Sequence, residues 1–488
     1  MARIGFKRSI AVLSGLAAIM MPQFAFSQAG IVSEREPIVI YDPADLNPSE
    51  PGYSWSGSSL LKNIRVIDGL GNPPVEGQDI LISDGKISAI GATGSTNAPK
   101  DARVIEGNGL TVMPGLIDAH THLSSGWRGP NDNGNRPVHV KWQLLSFLYA
   151  GVTQVYDIGN IPDVAGDTRD MVAAGAWLGP DIKIAGTYFE TAEVGALGYA
   201  TLLPVNDPNF LGGKLDMMKN NYGVEMVKCH AGTNIQVLRA FVTEAHKRGM
   251  RVVCDLWQNN GNSWIANVTK LDGYAHNMFM TTTPTQNDAD ILKKLGTFIV
   301  STTVMLDTIG GYRIEQDGDF ITGNPLIVDV NPPHWVKQAT SIKGKESANR
   351  YMSVFDAVLG GQRTIAEFRA DAFNWTKMLV DTGVMIGVGT DTPYLYNLSG
   401  ESLHRELELW VEDAGVTPLQ TLMAATSVNA KILKIDDRTG SIQVGLEGDL
   451  LVVAGNPAER ISDTRNIRFV FNNGKLVDRK SLTRQWKN

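Results

Sequence analysis

Cysteine is nearly absent from this chain: Cys229 and Cys254 are the two in 488 residues, which excludes a disulfide-stapled scaffold. Long apolar runs are missing as well. The longest, Ile10–Met21, is about half the ~20 residues a spanning helix needs, so no membrane span is expected after processing. An excess of positive charge is also lacking, with 44 Lys and Arg against 51 Asp and Glu for a formal net charge of −7. That argues against a nucleic-acid partner, whose phosphates call for a basic face. No repeat of solenoid length is visible. What remains is ordinary globular composition, 43% hydrophobic and 19% charged, in a chain long enough for a large barrel plus a second core. Glycine, at 50 residues, is abundant, as a fold with many tight strand-to-helix loops requires.

The first 27 residues have the order of an export signal: basic Arg3, Lys7 and Arg8, the apolar run, then Ala25-Phe26-Ser27 as a small-x-small cleavage site. The mature chain is expected to start near Gln28 and to be periplasmic or secreted, with an uncleaved anchor as the alternative. Loss of three positive charges takes the formal charge to about −10. Residues 28–57 read as an irregular lead-in, with Tyr41-Asp42-Pro43 and Pro48-Ser49-Glu50-Pro51 breaking any periodicity.

Short β-rich runs follow. Leu60–Asp68, Asp79–Ser83 and Lys86–Ile90 are separated by turns, and Asp84-Gly85 is a hairpin signal. Similar runs return at Gly448–Val453, Ile467–Phe471 and Gly474–Val477. The two ends, 58–113 and 436–488, are therefore expected to build one small β-sandwich domain. Between them, residues 114–435 alternate strands with helices. The strands lie at His120, 151–157, 182–186, 224–228, 251–255, 273–276, 298–302 and 385–391, and Asn234–Arg248 is a helix with Val237, Phe241 and Ala245 on one side. Eight strands in that alternation make the fold class α/β, a (β/α)8 TIM barrel with its site at the strands' C-terminal ends. Residues 308–370 are expected to lie over that mouth. Each cysteine sits beside an inward-facing position on neighbouring strands. Alternation turns both outward under the helices, where two buried free thiols are expected and a cross-strand disulfide is the alternative.

The most informative stretch is Pro114-Gly115-Leu116-Ile117-Asp118-Ala119-His120-Thr121-His122. Residues two apart on a strand share a face, so His120 and His122 can aim their imidazoles at one point, and imidazole is a common zinc ligand. Polar groups able to bind metal recur at later strand ends: Lys228, His276 and, in Gly389-Thr390-Asp391, Asp391. In this order the set resembles the amidohydrolase superfamily, whose members place HxH, Lys, His, His and Asp on successive strands. The resemblance runs from about Leu60 to Asp478 and is nearest to the imidazolonepropionase and prolidase-like branch.

That resemblance implies a metal-dependent hydrolase cleaving an amide or peptide-like C–N bond with metal-activated water, Asp391 serving as general base and then acid. His276 would ligate metal or polarise the carbonyl. A free ammonium has no lone pair for metal, and in similar proteins the lysine at the position of Lys228 is carboxylated. The cofactor is a divalent ion, zinc by its donors, one or two per chain. A small amide substrate and a homo-oligomer are expected. The chain departs from the pattern on the fifth strand, where Asp255 stands in place of histidine. Asp255 as a substitute ligand, His230 as another, or loss of one metal are the open alternatives. With one metal, a lyase, decarboxylase or isomerase is the second reading; a non-catalytic binding protein is the third. Trp257 is a candidate pocket wall, and Tyr188, Tyr199 and His230 are candidates to activate the carbonyl. His404 and Glu406 read as a structural helix start. His139, His246 and His334 carry no assigned function.

Overall fold

The computed structural model describes residues 52–123, 136–190, 202–204, 208–230, 234–256, 260–277, 283–309, 321–331, 333, 336–337, 364–393 and 396–483. The signal-like segment, Trp257, Tyr199, His334, the side chain of His139 and most of 308–370 fall outside them. No helix among the described residues is long and apolar enough to cross a membrane.

The two ends of the chain meet in one nine-stranded sheet. Its order joins Tyr53–Trp55, Lys475–Val477, Ile467–Asn472, Leu450–Ala454, Leu110–Pro114, Ser59–Val66, Val75–Ser83 and Lys86–Ala92, with Arg103–Glu106 added beside Ser59–Val66. One correction follows: residues 53–55 of the expected lead-in are a strand, paired through Tyr53 with Val477. The strand Leu450–Ala454 pairs along its whole length with Leu110–Pro114 and joins the two halves in one continuous sheet. Leu61, Ile80, Ile87, Val112, Val452 and Phe471 from both halves share one buried cluster. Both tight turns, Asp84-Gly85 and Asn473-Gly474, have positive φ at each residue, which suits a two-residue hairpin.

The middle of the chain forms two parallel sheets. One holds Leu116–Thr121, Val152–Asp157 and Asp181–Ile184. The other runs Leu202–Pro204, Tyr188–Glu190, Met226–His230, Arg251–Asp255, Gly273–Tyr274, Phe298–Ser301 and Ile386–Val388. Backbone hydrogen bonds connect them at one margin. Thr390 and Asp391 N–H donate to the His120 carbonyl, at 3.1 and 2.7 Å. The strand Leu202–Pro204, beyond Tyr188–Glu190, is one the sequence pattern did not announce.

Helices cover the outside. Ile235–Lys247 starts where the Asn234 side chain accepts from the N–H of Gln236 and Val237, and it buries Leu238, Phe241, Val242 and Ala245. Each such buried aliphatic or aromatic side chain contributes about 1.5–3 kcal/mol of burial. Ile365–Thr382 begins in a Thr364/Glu367 capping box and ends at left-handed Gly383. A second apolar cluster, including Ile117, Tyr156, Val253 and Val300, fills the space inside the strands.

Cys229 and Cys254 correct the expectation of free thiols: they form a disulfide. Alternation does turn both to the outer face, as expected. The strands also pair them in register, with Cα atoms 4.5 Å apart, a relation that sequence spacing alone does not fix.

Candidate metal centre

Every residue singled out at a strand end, among those described, lies at the same edge of the parallel sheets. His120 and His122 close the first strand, Lys228 and His230 the strand Met226–His230, Asp255 ends Arg251–Asp255, His276 follows Tyr274, and Asp391 follows Val388. His120, His276 and Asp391 place ligand atoms within 4.8 Å of one another. Asp391 Oδ1 stands 3.2 Å from His120 Nε2 and 3.1 Å from His122 Nε2. Lys228 Nζ lies 3.4 Å from His120 Nε2, and His276 Nε2 lies 3.4 Å from Asp255 Oδ2. His120, His122, Lys228, Asp255 and His276 are buried and Asp391 is partly buried.

The far nitrogen of each ring is held. His120 Nδ1 is 2.8 Å from the Ala275 carbonyl and His122 Nδ1 2.9 Å from the Gly159 carbonyl. A carbonyl only accepts, so the proton of each neutral ring sits on Nδ1 and donates there. His276 Nδ1 is 2.7 Å from Thr302 Oγ1. Burial, and next Lys228, press the His120 imidazole down to about 3, so it is neutral at ordinary pH. Its Nε2 therefore offers a lone pair, and the His122 Nε2 stands equally close to the same Asp391 oxygen. The donor set therefore fits a divalent metal such as zinc.

Close approach of the first and last strands depends on small residues and one unforeseen carboxylate. A Cβ on Gly389 would lie 2.5 Å from the His120 Cβ. Asp118, two residues before His120, accepts from His120 N–H and Thr390 N–H at 3.1 Å each and from Thr390 Oγ1 at 2.6 Å. Sequence reasoning missed this bracket, although the i−2 spacing puts Asp118 on the histidine face. Asp391 itself adopts φ 59°, a left-handed conformation that Asp tolerates better than most side chains.

Lys228 is fully enclosed; burial lowers its pKa, and Asp255 and Asp391 oppose the shift. Burial would likewise raise Asp255, yet His276, His230 and Lys228 bring it well below the usual range. Of the carbonyl-activating candidates, Tyr188 places its hydroxyl 2.8 Å from His122 Nδ1, and His230 lies 3.5 Å from Asp255. Glu190, buried at the end of its strand, also belongs to the cluster, 3.6 Å from His230 Nδ1. No spacing signal marked it.

Other residues stand apart. His404 meets Thr464 Oγ1 and the Ala150 carbonyl with its two nitrogens, and Glu406 accepts from Ser301, Thr303, Val304 and Trp410. Both are therefore parts of the helix packing, as their sequence context indicated. His246 pairs with Asp272 at the surface.

Comparison with known proteins matches residues 111–477 to the amidohydrolase family. An enamidase of Eubacterium barkeri is 27% identical over 202 residues, 40% of this chain and 48% of that protein. An imidazolonepropionase of Idiomarina loihiensis is 41% identical over 76 residues, 15% of this chain and 18% of that one. The chain thus spans under half the length of these relatives. Among solved structures, a Xaa-Pro dipeptidase with bound methionine in the active site superposes with a TM-score of 0.64 at 21% identity, covering 86% of this chain and 99% of that one, a likeness of fold. With the family match spanning most of its length and the histidines, lysine and aspartate gathered at one sheet edge, the chain belongs to the amidohydrolase family.

Proposed function

We propose that the protein is a metal-dependent hydrolase of a C–N bond in a small amide or peptide-like substrate, built on a (β/α)8 barrel whose first and last strands meet at the His120–Asp391 margin. The observation that carries this reading is the convergence of His120 Nε2, His122 Nε2 and Asp391 Oδ1 at 3.1–3.2 Å, both ring protons being committed elsewhere. His120, His122, His276 and Asp391 would hold the ion, with Lys228 and Asp255 as further donors. Lys228, its ammonium disfavoured by burial, is suited to carboxylation, since the neutral amine is the form that takes up CO2. When bound, a divalent ion acidifies water and polarises a carbonyl.

The protein's own groups carry the proton traffic. Asp391, kept anionic, accepts a proton from attacking water through its carboxylate and returns it to the departing amine. Tyr188 Oη, beside His122, is positioned to donate to the oxygen of a tetrahedral intermediate. Named relatives such as an enamidase, an imidazolonepropionase and a Xaa-Pro dipeptidase support C–N chemistry. The enclosed site and the disulfide fit an exported enzyme.

The test is amine release from a panel of dipeptides and N-acyl amino acids by zinc-loaded, chelator-stripped and reloaded protein. Release that vanishes on stripping and returns on reloading is expected. Activity indifferent to chelation, or conversion without a freed amine, would displace this reading in favour of a non-hydrolytic one.

A further inference from the structure

Opposite the metal edge, where the strands Asp181–Ile184, Met226–His230 and Arg251–Asp255 begin, the molecule holds a cavity of about 300 Å³. Its lining carries four basic side chains, Arg169, Lys183, Arg251 and Arg438, against two carboxylates, Asp181 and Glu225. Strand alternation ties it to the interior: Arg251, Val253 and Asp255 share one face, and Val253 belongs to the apolar cluster inside the strands. The rise along that strand puts Arg251 about 13 Å from Asp255. The cavity and the metal edge are therefore separate compartments, with apolar side chains between them.

Three of the four cations are already engaged. Lys183 Nζ donates to Glu225 Oε2 at 2.6 Å, Arg438 reaches Asp181 Oδ2 at 3.3 Å, and Arg169 donates to Asp170 and to the Tyr222 carbonyl. Arg251 is the exception. Its Nε is enclosed without a hydrogen-bond partner, and no carboxylate among the described residues forms an ion pair with its guanidinium. The neighbouring carboxylate of Asp272 is spent on the Val252 N–H and on His246 Nε2, each at 2.8 Å. Phe298, its ring centroid 5.8 Å from the Arg251 Cζ, supports the guanidinium from one side. Burial disfavours that charge, yet an arginine does not shed its proton to escape the cost. A partly buried cation without a counter-charge, in a cavity with surplus positive charge, is complementary to an anion.

We propose that this cavity binds a small oxyanion, through a carboxylate or phosphate group anchored on Arg251, with the more exposed Lys183 and Arg438 beside it. A guanidinium presents parallel N–H donors, the arrangement that carboxylate and phosphate oxygens accept. At about 300 Å³ the cavity is at the small end of ligand pockets, so the occupant is a small molecule. Such binding does not require a metal at the opposite edge.

The test is calorimetric titration of full-length, zinc-loaded protein with inorganic phosphate and, separately, with succinate, chloride holding the ionic strength constant. Oxygen anions also ligate zinc, so the same titrations are run on His120→Ala. One saturable event is expected to persist in His120→Ala, to weaken ~10–100-fold in Arg251→Met and to recover in part in Arg251→Lys. Arg438→Gln, at an exposed position, is expected to weaken it less, and circular dichroism checks the fold of each variant. Tighter binding of phosphate identifies a phosphate-bearing ligand, and tighter binding of succinate a carboxylate. No saturable event in either titration, an event lost in His120→Ala, or one unchanged in folded Arg251→Met overturns the proposal. Should Arg251→Met not fold, unchanged binding in Arg438→Gln does so.

Discussion

At the scale of single residues, burial decides which groups can bind a metal and which only support the fold. His120 and His404 are both buried, and burial is the leading cause that brings them to about 3 and about 4, respectively. Only His120 leaves a nitrogen directed at another acceptor. His404 spends both nitrogens on Thr464 and Ala150 and therefore acts on stability. The sign is fixed by linkage: between pH ~6.5 and about 4 the unfolded chain protonates His404 and the folded chain does not. Stability from this group is present above pH 6.5 and is lost as pH falls, by up to ~1.4 kcal/mol per unit. Asp118 and Asp449, pushed up to about 7 chiefly by burial, bias the balance the other way, so the expectation concerns a difference. Urea midpoints of metal-free His404→Gln and wild type should converge as pH falls from 6.5 toward 4; a constant gap would mean His404 does not titrate as argued.

At the scale of elements, strand pairing brings distant stretches of sequence to one point. The HxH pair, Lys228, His276 and Asp391 were legible because each ends an apolar strand-like run. Spacing on one strand also placed Asp255 and His230 on the inner face. Register across strands was not legible, because nothing in the sequence of one strand states its alignment with the next. That is why the Cys229–Cys254 disulfide was expected to be two thiols, and why Glu190, beside His230 only through pairing, went unmarked. The first and last strands illustrate how tight the alignment is. Gly389→Ala puts a methyl 2.5 Å from the His120 Cβ and 2.7 Å from its backbone nitrogen, where both atoms are buried and little can give. A loss of about 1–3 kcal/mol in denaturant unfolding, together with weaker zinc binding, is expected. Wild-type stability and affinity would show that the strands can separate without disturbing His120.

At the scale of the whole molecule, both chain ends are tied into one sheet beside the catalytic sheets, so the metal edge is framed by residues distant in sequence. The β-rich ends and the alternating middle were readable from periodicity; the merging of the ends into one sheet was not, since it depends on a long-range pairing of Leu450–Ala454 with Leu110–Pro114. Export is an expectation of the first 27 residues. Intact mass of protein from its native host should correspond to a chain starting near Gln28, and retention of Met1 would contradict it.

The metal centre depends on the convergence of His120, His122, His276 and Asp391. The most direct measurement is zinc per chain, taken with turnover on the same samples, for wild type, His120→Ala and Asp391→Asn. Wild type should hold zinc and turn over. His120→Ala should lose most of the zinc and all activity. Asp391→Asn should keep much of the zinc, because an amide oxygen still ligates, while turnover falls by ~10²–10⁴ for want of a proton acceptor. Full zinc in His120→Ala, or undiminished turnover in Asp391→Asn, would contradict the assignment of this site.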